Sequence, residues 1–302
     1  MAANEISEVL NAWFRANARD LPWRDPATSA WGILVSEFMS QQTQVERVIP
    51  HWEEWMARWP KPSDLAADAP GEAVRAWKRL GYPRRALWLH QAACQIASEH
   101  GDEVPSDVEV LLSLTGIGPY TARAVAAFAF GSPEPVVDTN TRRVIARAVH
   151  GRAAAGMPAA RDLDDMAALL PADPVEAAVF NAAAMELGAV VCTARKPACP
   201  ACPIAEFCEW RGSGFPDNAP AKRPKQAKFE GSDRQVRGRI MAAMRAASGP
   251  VAREVAVGAG VGRADAAGVS NAAGAADQAQ RAYDSLIADG LIVEYEGSVR
   301  LP

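Results

Sequence analysis

The chain has 302 residues, 49% of them hydrophobic, enough to build a sizeable core in one large domain or two modest ones. Its 32 basic and 36 acidic side chains leave a net charge of −4. That balance excludes a protein that coats nucleic acid indiscriminately, while leaving room for a local basic surface. No apolar run is long enough to span a bilayer, and the opening MAANEISEVL is acidic and lacks the apolar centre of a secretory signal. The sequence therefore predicts a soluble, cytoplasmic chain with no membrane partner, whose thiols stay reduced.

Alanine dominates the apolar residues and β-branched residues are scattered, which favours helix over sheet. In chain order, helical periodicity marks Ile6–Phe14, Ile33–Val48, Ala73–Leu80, Leu87–Ala97, Val108–Leu114, Thr121–Phe130 and Thr141–Val149. Ser106 with Glu109 three residues on reads as a capping box opening one of these helices. Gly81, Gly101, Gly131 and Gly151 punctuate their ends. No alternating strand pattern precedes residue 290, so the first part is predicted to be all-α.

Composition shifts at Gly212-Ser213-Gly214-Phe215-Pro216, the start of a linker predicted over residues 212–229. The stretch Lys222–Arg239 carries seven basic residues against Glu230 and Asp233, and reads equally as a solvated linker or a phosphate contact. Beyond it, Gln235–Ala247 and Gln278–Ala288 are helical, while Ala256–Ala276 is Gly/Ala-rich and gives no clear element. The chain closes on a β-hairpin, Leu291–Tyr295 and Ser298–Leu301, turning at Glu296-Gly297. Helices followed by a hairpin predict a small winged-helix-like module over residues 230–302.

Four of the five cysteines, Cys192, Cys199, Cys202 and Cys208, are spaced C-x6-C-x2-C-x5-C. Four thiolates so close in sequence can surround one centre, and all-sulfur ligation suits an iron–sulfur cluster or zinc. Structural zinc usually pairs two short C-x2-C knuckles, and only one is present. Between the first two cysteines, Arg195 and Lys196 sit in a loop that ligation would hold at both ends. They could then meet phosphate with little ordering cost.

Two further segments carry chemistry. In Leu114-Thr115-Gly116-Ile117-Gly118-Pro119-Tyr120-Thr121, Gly116 and Gly118 permit a tight turn with exposed N–H groups ahead of a helix N-terminus, an arrangement suited to phosphate. In Val136-Val137-Asp138-Thr139-Asn140-Thr141, Asp138 follows a short extended pair and precedes an arginine-rich helix. In Ser36-Glu37-Phe38-Met39-Ser40-Gln41-Gln42-Thr43-Gln44-Val45, helical spacing would place Glu37, Gln41 and Gln44 on one face.

Hairpin, aspartate and cysteine cluster together resemble the helix-hairpin-helix glycosylase superfamily that includes endonuclease III. The segment SExMxQQTQV closely resembles the motif of the MutY family of adenine DNA glycosylases. Leu21-Pro22-Trp23-Arg24, Leu80-Gly81-Tyr82, Val137-Asp138 with Asn140, Asn181–Leu187 and the four cysteines follow in register, over about residues 5–225. The resemblance implies a mainly α fold of two helical lobes. Residues 23–131 would form a six-helix barrel, and residues 1–22 with 132–211 a [4Fe–4S] cluster lobe, with DNA in the cleft between them. It further implies a monomer acting on double-stranded DNA that contains a mispaired adenine.

The residue types fit that chemistry. Adenine leaves badly as an anion, so a protonated carboxyl must donate to a ring nitrogen, and Glu37 is the expected acid. Raising its pKa to near neutrality costs roughly 2.7 kcal/mol, within reach of burial. Asp138, ionised, would stabilise the cationic sugar, a division of labour like that in glycoside hydrolysis. By resemblance Tyr120 and Asn140 position these groups, Arg24 contacts the extruded adenine, and Gln42 and Tyr82 fill the hole left in the stack. Tyr120 stands where endonuclease III-like enzymes carry a Schiff-base lysine, so the expected enzyme is monofunctional. A mismatch-specific thymine glycosylase is the alternative on this scaffold, and a non-catalytic iron–sulfur DNA-binding protein the more distant one. Departures are Ser40 for leucine, Pro83 for a second tyrosine, and a tail too short and helical for the family's β-rich 8-oxoguanine-reading domain.

Overall fold

The computed structural model of the protein describes residues 2–218, 228–261 and 272–302, which divide between two compact units. The first comprises residues 1–37 and 104–223, the second 38–103 and 224–302. Among the described residues no helix is long and apolar enough to cross a membrane.

In the first unit, α1 (Ala2–Asn17) packs on α11 (Pro174–Val190), and α11 packs on α9 (Thr139–Ala148). Ile6 and Leu10 of α1, Val144 and Ile145 of α9 and Phe180 and Leu187 of α11 share one apolar core. The helical hairpin is α7 (Val108–Ser113), a turn over residues 114–118, and α8 (Pro119–Phe130). The short α10 (Arg161–Ala167) and α12 (Glu209–Gly212) pack against α9. Helix α2 (Ala30–Ser40) begins in this unit and ends in the second.

In the second unit α3 (Val45–Arg58), α4 (Pro62–Ala67), α5 (Pro70–Ala76) and α6 (Arg84–Glu99) close around Trp55, Trp59 and Trp77. These indoles meet edge to face, with centroids 4.6 and 5.8 Å apart, the offset geometry that aromatic quadrupoles favour. The C-terminal module belongs to the same unit. It runs α13 (Asp233–Ala246), β1 (Val251–Ala252), α14 (Arg253–Val261), α15 (Ala272–Ala288), β2 (Val293–Tyr295), β3 (Ser298–Arg300), with an antiparallel sheet ordered β1-β3-β2. That is the element order of a winged helix, as the sequence predicts. The hairpin pairs Tyr295 with Ser298 across a two-residue turn, Glu296 and Gly297, both at positive φ as the right-handed strand twist demands.

Three local expectations need correction. The helix predicted over Ile33–Val48 is two helices, broken at residues 41–44, so Glu37, Gln41 and Gln44 do not share a face. Gln42 takes φ 56°, and Arg85 donates to the carbonyls of Phe38 and Gln41, satisfying acceptors that a continuous helix would have used. The cap before α7 is Asp107, not Ser106: its carboxylate accepts from the Glu109 and Val110 N–H groups, a stronger acceptor than a hydroxyl. A strand does precede residue 290: β1, two residues long, is too short to show alternation. The basic run beginning at Lys222 and the Gly/Ala-rich stretch fall partly outside the described residues, at 219–227 and 262–271.

Candidate active site and cysteine loop

Glu37, Tyr120 and Asp138, about a hundred residues apart at the extremes, come together in the first unit. Helix α2 supplies Glu37 from a run of buried residues, Trp31 to Glu37, leaving the residue only 9% exposed. Pro119 and Tyr120 open α8 directly after the Gly116–Gly118 turn. Gly116 has φ 80°, and Gly118 has an extended backbone with open space where a Cβ would lie. Tyr120 hydrogen-bonds Glu37. Burial pushes the Glu37 carboxyl up to about 7, with the Asp138 charge adding to the rise and the Tyr120 hydrogen bond opposing it. The Tyr120 hydroxyl is pushed well above its ordinary value by burial and by the two carboxylates, so it stays a donor at neutral pH.

Asp138 is the N-cap of α9. Its Oδ1 accepts from the Thr141 N–H at 2.7 Å and its Oδ2 from Asn140 Nδ2 at 2.8 Å, which fixes the carboxylate plane. Asn140 is held in turn by Arg143 Nη2 at 2.8 Å. Gly188 of α11 allows this approach: a Cβ there would lie 2.7 Å from Asn140 Cβ. Asn181, fully buried, accepts from the Val136 N–H and donates to the Glu134 carbonyl, anchoring the strand-like lead into Asp138. The arginines of α9 escaped individual assignment in the sequence, although their i, i+4 spacing places Arg143 and Arg147 on one face.

That face meets the cysteines. Cys192, Cys199, Cys202 and Cys208 line a single pocket with Arg147 and Trp210. Arg143 donates to the Cys192 carbonyl at 2.7 Å, and Arg147 lies 3.3 Å from Cys192 Sγ while donating to the carbonyls of Thr193 and Ala194. Among the described residues no three His, Cys, Asp or Glu side chains gather tightly enough to hold a single metal ion. Burial pushes the Cys202 thiol up to about 11. An all-sulfur donor set beside a guanidinium, itself able to offset the anionic charge of a thiolate cluster, fits an iron–sulfur group. Thr193 Oγ1 donates to the Lys196 carbonyl and the Ala198 N–H to the Val191 carbonyl, so Arg195 and Lys196 stand exposed on a pinned loop.

Arg24 donates to Glu186 at 2.9 Å and to the Arg19 carbonyl, with its guanidinium over Phe14. Gln41, Gln42 and Tyr82 belong to the second unit. Gln42 and Tyr82 are exposed and both take positive φ, 56° and 45°, strained for side-chain-bearing residues. Thr43 Oγ1 donates to the Leu80 carbonyl, tying their two loops together.

Comparison with known proteins bears on these geometries. Residues 35–159 match the family of HhH-GPD superfamily base excision DNA repair proteins, and residues 192–208 the iron-sulfur binding domain of endonuclease III. The chain is 53% identical over 289 residues to the adenine DNA glycosylase of Mycolicibacterium smegmatis, covering 95% of this chain and 92% of that protein. It is 50% identical to the adenine DNA glycosylase of Mycobacterium tuberculosis, covering 97% and 92%. Among solved structures, a thermostable thymine-DNA glycosylase superposes with TM-score 0.64 at 25% identity, over 70% of this chain and 97% of that one.

Proposed function

The chain belongs to the adenine DNA glycosylase family, in the helix-hairpin-helix superfamily of base excision repair enzymes, and we propose that Glu37 and Asp138 divide between them the hydrolysis that frees a mispaired adenine. It carries a [4Fe–4S] cluster and binds DNA. The observation that carries the proposal is the meeting of Glu37, Tyr120 and Asp138, with Glu37 raised to about 7.

At neutral pH a substantial fraction of Glu37 is protonated, and its O–H donates to a ring nitrogen of adenine as the N-glycosidic bond lengthens. Tyr120 remains a neutral phenol and orients that carboxyl. The sugar becomes cationic, and the Asp138 carboxylate, fixed by Thr141 and Asn140, faces the charge without having to reorganise. Water completes the hydrolysis; no amine stands at Tyr120 to form a Schiff base, so the strand is left uncut. Gly116 and Gly118 of the hairpin, with Arg195 and Lys196 of the cysteine loop, meet backbone phosphates. Cys192, Cys199, Cys202 and Cys208 hold the cluster, which when bound ties that loop at both ends. Arg24 lines the adenine pocket; Gln42 and Tyr82, with Gln41 beside them, fill the stack after the base leaves. The substrate is double-stranded DNA with adenine opposite 8-oxoguanine or guanine, taken by a monomer in the cytoplasm, at the nucleoid.

A single-turnover assay on duplexes bearing A·8-oxoG, A·G, T·G and C·G pairs, with alkali to reveal abasic sites, tests the proposal. Release of adenine from the first two and nothing from the last two is expected. Inertness toward both adenine pairs, or preferential release of thymine, would overturn it.

A further inference from the structure

Arg85, near the start of α6 in the second unit, is only 4% exposed, and among the described residues no carboxylate pairs with it. A guanidinium taken out of water without a counter-charge costs stability, and a neutral donor would suffice if its task were only to end α2. A planar fork can do more, because it reaches two loops at once. Arg85 Nη1 donates to the carbonyls of Phe38 and Gln41 at 2.8 and 2.6 Å, and Nη2 donates to the Gly81 carbonyl at 3.2 Å. The guanidinium carbon lies 5.5 Å from the ring centroid of buried Trp77 and 5.5 Å from that of Tyr82, within cation–π reach of both. Trp77 Nε1 donates to the same Gly81 carbonyl at 2.9 Å.

The two loops so joined are the strained ones. Gln42 has φ 56° and Tyr82 φ 45°, and both side chains are exposed, Tyr82 at 58%. Residues with a Cβ keep such backbone angles only where the surroundings over-determine them. Three side chains do so here. Thr43 Oγ1 donates to the Leu80 carbonyl, Arg47 donates to that of Arg79, and Arg85 holds Phe38, Gln41 and Gly81. Of the three, Arg85 also reaches the Tyr82 ring. A side chain set in place before the duplex arrives loses less freedom on binding, so more of its contact energy is left to open the stack.

We propose that Arg85 is the positioning residue for Gln42 and Tyr82, one buried fork that presets both turns, an assignment that rests on the stack-filling role given to those two residues. Arg85 itself meets no DNA; it acts through the carbonyls of Gln41 and Gly81 and the underside of the Tyr82 ring.

Two measurements on the full-length, cluster-loaded protein test this, with Arg85→Lys as the main variant, since lysine keeps the buried cation but loses the fork. The first needs no DNA. The chain has four tyrosines, Tyr82, Tyr120, Tyr283 and Tyr295, which 3-fluorotyrosine labelling reports as separate ¹⁹F resonances, Tyr82→Phe assigning the one of interest. Arg85→Lys should move the Tyr82 resonance and leave the other three in place. A Tyr82 resonance unmoved, or all four displaced together, overturns the proposal, the latter because it makes Arg85 a general core residue. The second follows the fluorescence rise of 2-aminopurine placed opposite 8-oxoguanine as it leaves the stack. Arg85→Lys should lower that rise several-fold, as Tyr82→Ala should, while affinity for undamaged duplex stays near wild type. Arg85→Met, which removes charge and fork together, should lower it at least as far. A wild-type rise in Arg85→Lys beside a lost one in Tyr82→Ala overturns the positioning role and spares the stack-filling one. A wild-type rise in Tyr82→Ala instead overturns the stack-filling role, while the ¹⁹F spectrum still decides whether Arg85 sets the ring.

Discussion

Two glutamates of the first unit are buried to a similar degree, Glu37 at 9% exposure and Glu186 at 1%, and they behave oppositely. Glu37 has a tyrosine and another carboxylate for company, and burial carries it up to about 7. Glu186 feels burial too, but hydrogen bonds from Arg19 and Arg24 more than reverse it, and its carboxyl sits below the ordinary range. Burial sets the size of the electrostatic stakes; the partners decide the sign. One site spends stability to keep a proton near neutral pH, and the other uses the same element type as a brace between α11 and the segment after α1.

The two glutamates differ most in what they do for activity. Glu37→Gln should lower single-turnover adenine release by about a thousandfold, the range for loss of a general acid, while Glu186→Gln should retain far more. Asp138→Asn should abolish turnover while leaving duplex affinity intact; substantial release by that variant would remove Asp138 from its assigned role. Wild-type release should be flat below pH 6 and fall above about pH 7 as Glu37 loses its proton.

Stability should separate the two glutamates with opposite pH dependence. Glu37 has a raised folded pKa, so its carboxylate costs nothing below its unfolded value near 4.5 and progressively more up to about 7. Glu37→Gln should therefore match wild type near pH 4 and exceed it by about 3 kcal/mol at pH 8, read by chemical denaturation. Glu186 has a lowered folded pKa, so its contribution is present at neutral pH and lost on acidification. Glu186→Gln should cost about 2 kcal/mol at pH 7, below the figure for a fully buried pair because Arg19 and Arg24 keep access to water. The smallest effect expected is that of Gly188→Ala. Its Cβ must push Asn140 back by several tenths of an ångström, and a roughly tenfold slower release with about 1–2 kcal/mol lost stability should follow.

Much of this site was legible in the sequence because its chemistry is written in residue type. A lone glutamate among Trp31, Phe38 and Met39, an aspartate before a helix, and clustered cysteines each stand out against their neighbours. The helical class was legible for the same reason, and the turn glycines fell where positive φ is needed. What escaped is geometry that no local pattern encodes. The break at residues 41–44 depends on Arg85, forty-odd residues away, capping Phe38 and Gln41. Asp107 displaces Ser106 because one carboxylate oxygen can serve two N–H groups at once. Nothing local singles Arg143 out from the other arginines of its helix, and only the fold brings it between Asn140 and the Cys192 carbonyl. Strand β1 has two residues and no periodicity to read; its partner lies almost fifty positions on.

Acid-assisted release of adenine depends on the proton of Glu37. Titration of the glutamate side-chain carboxyl ¹³C resonances in the free, cluster-loaded protein, with Glu37→Gln used to assign the signal, measures it directly. A resonance present in wild type, absent in the variant and titrating near pH 7 is the predicted result. A midpoint near 4.5 would mean that Glu37 is ionised at neutral pH and would contradict its role as the acid.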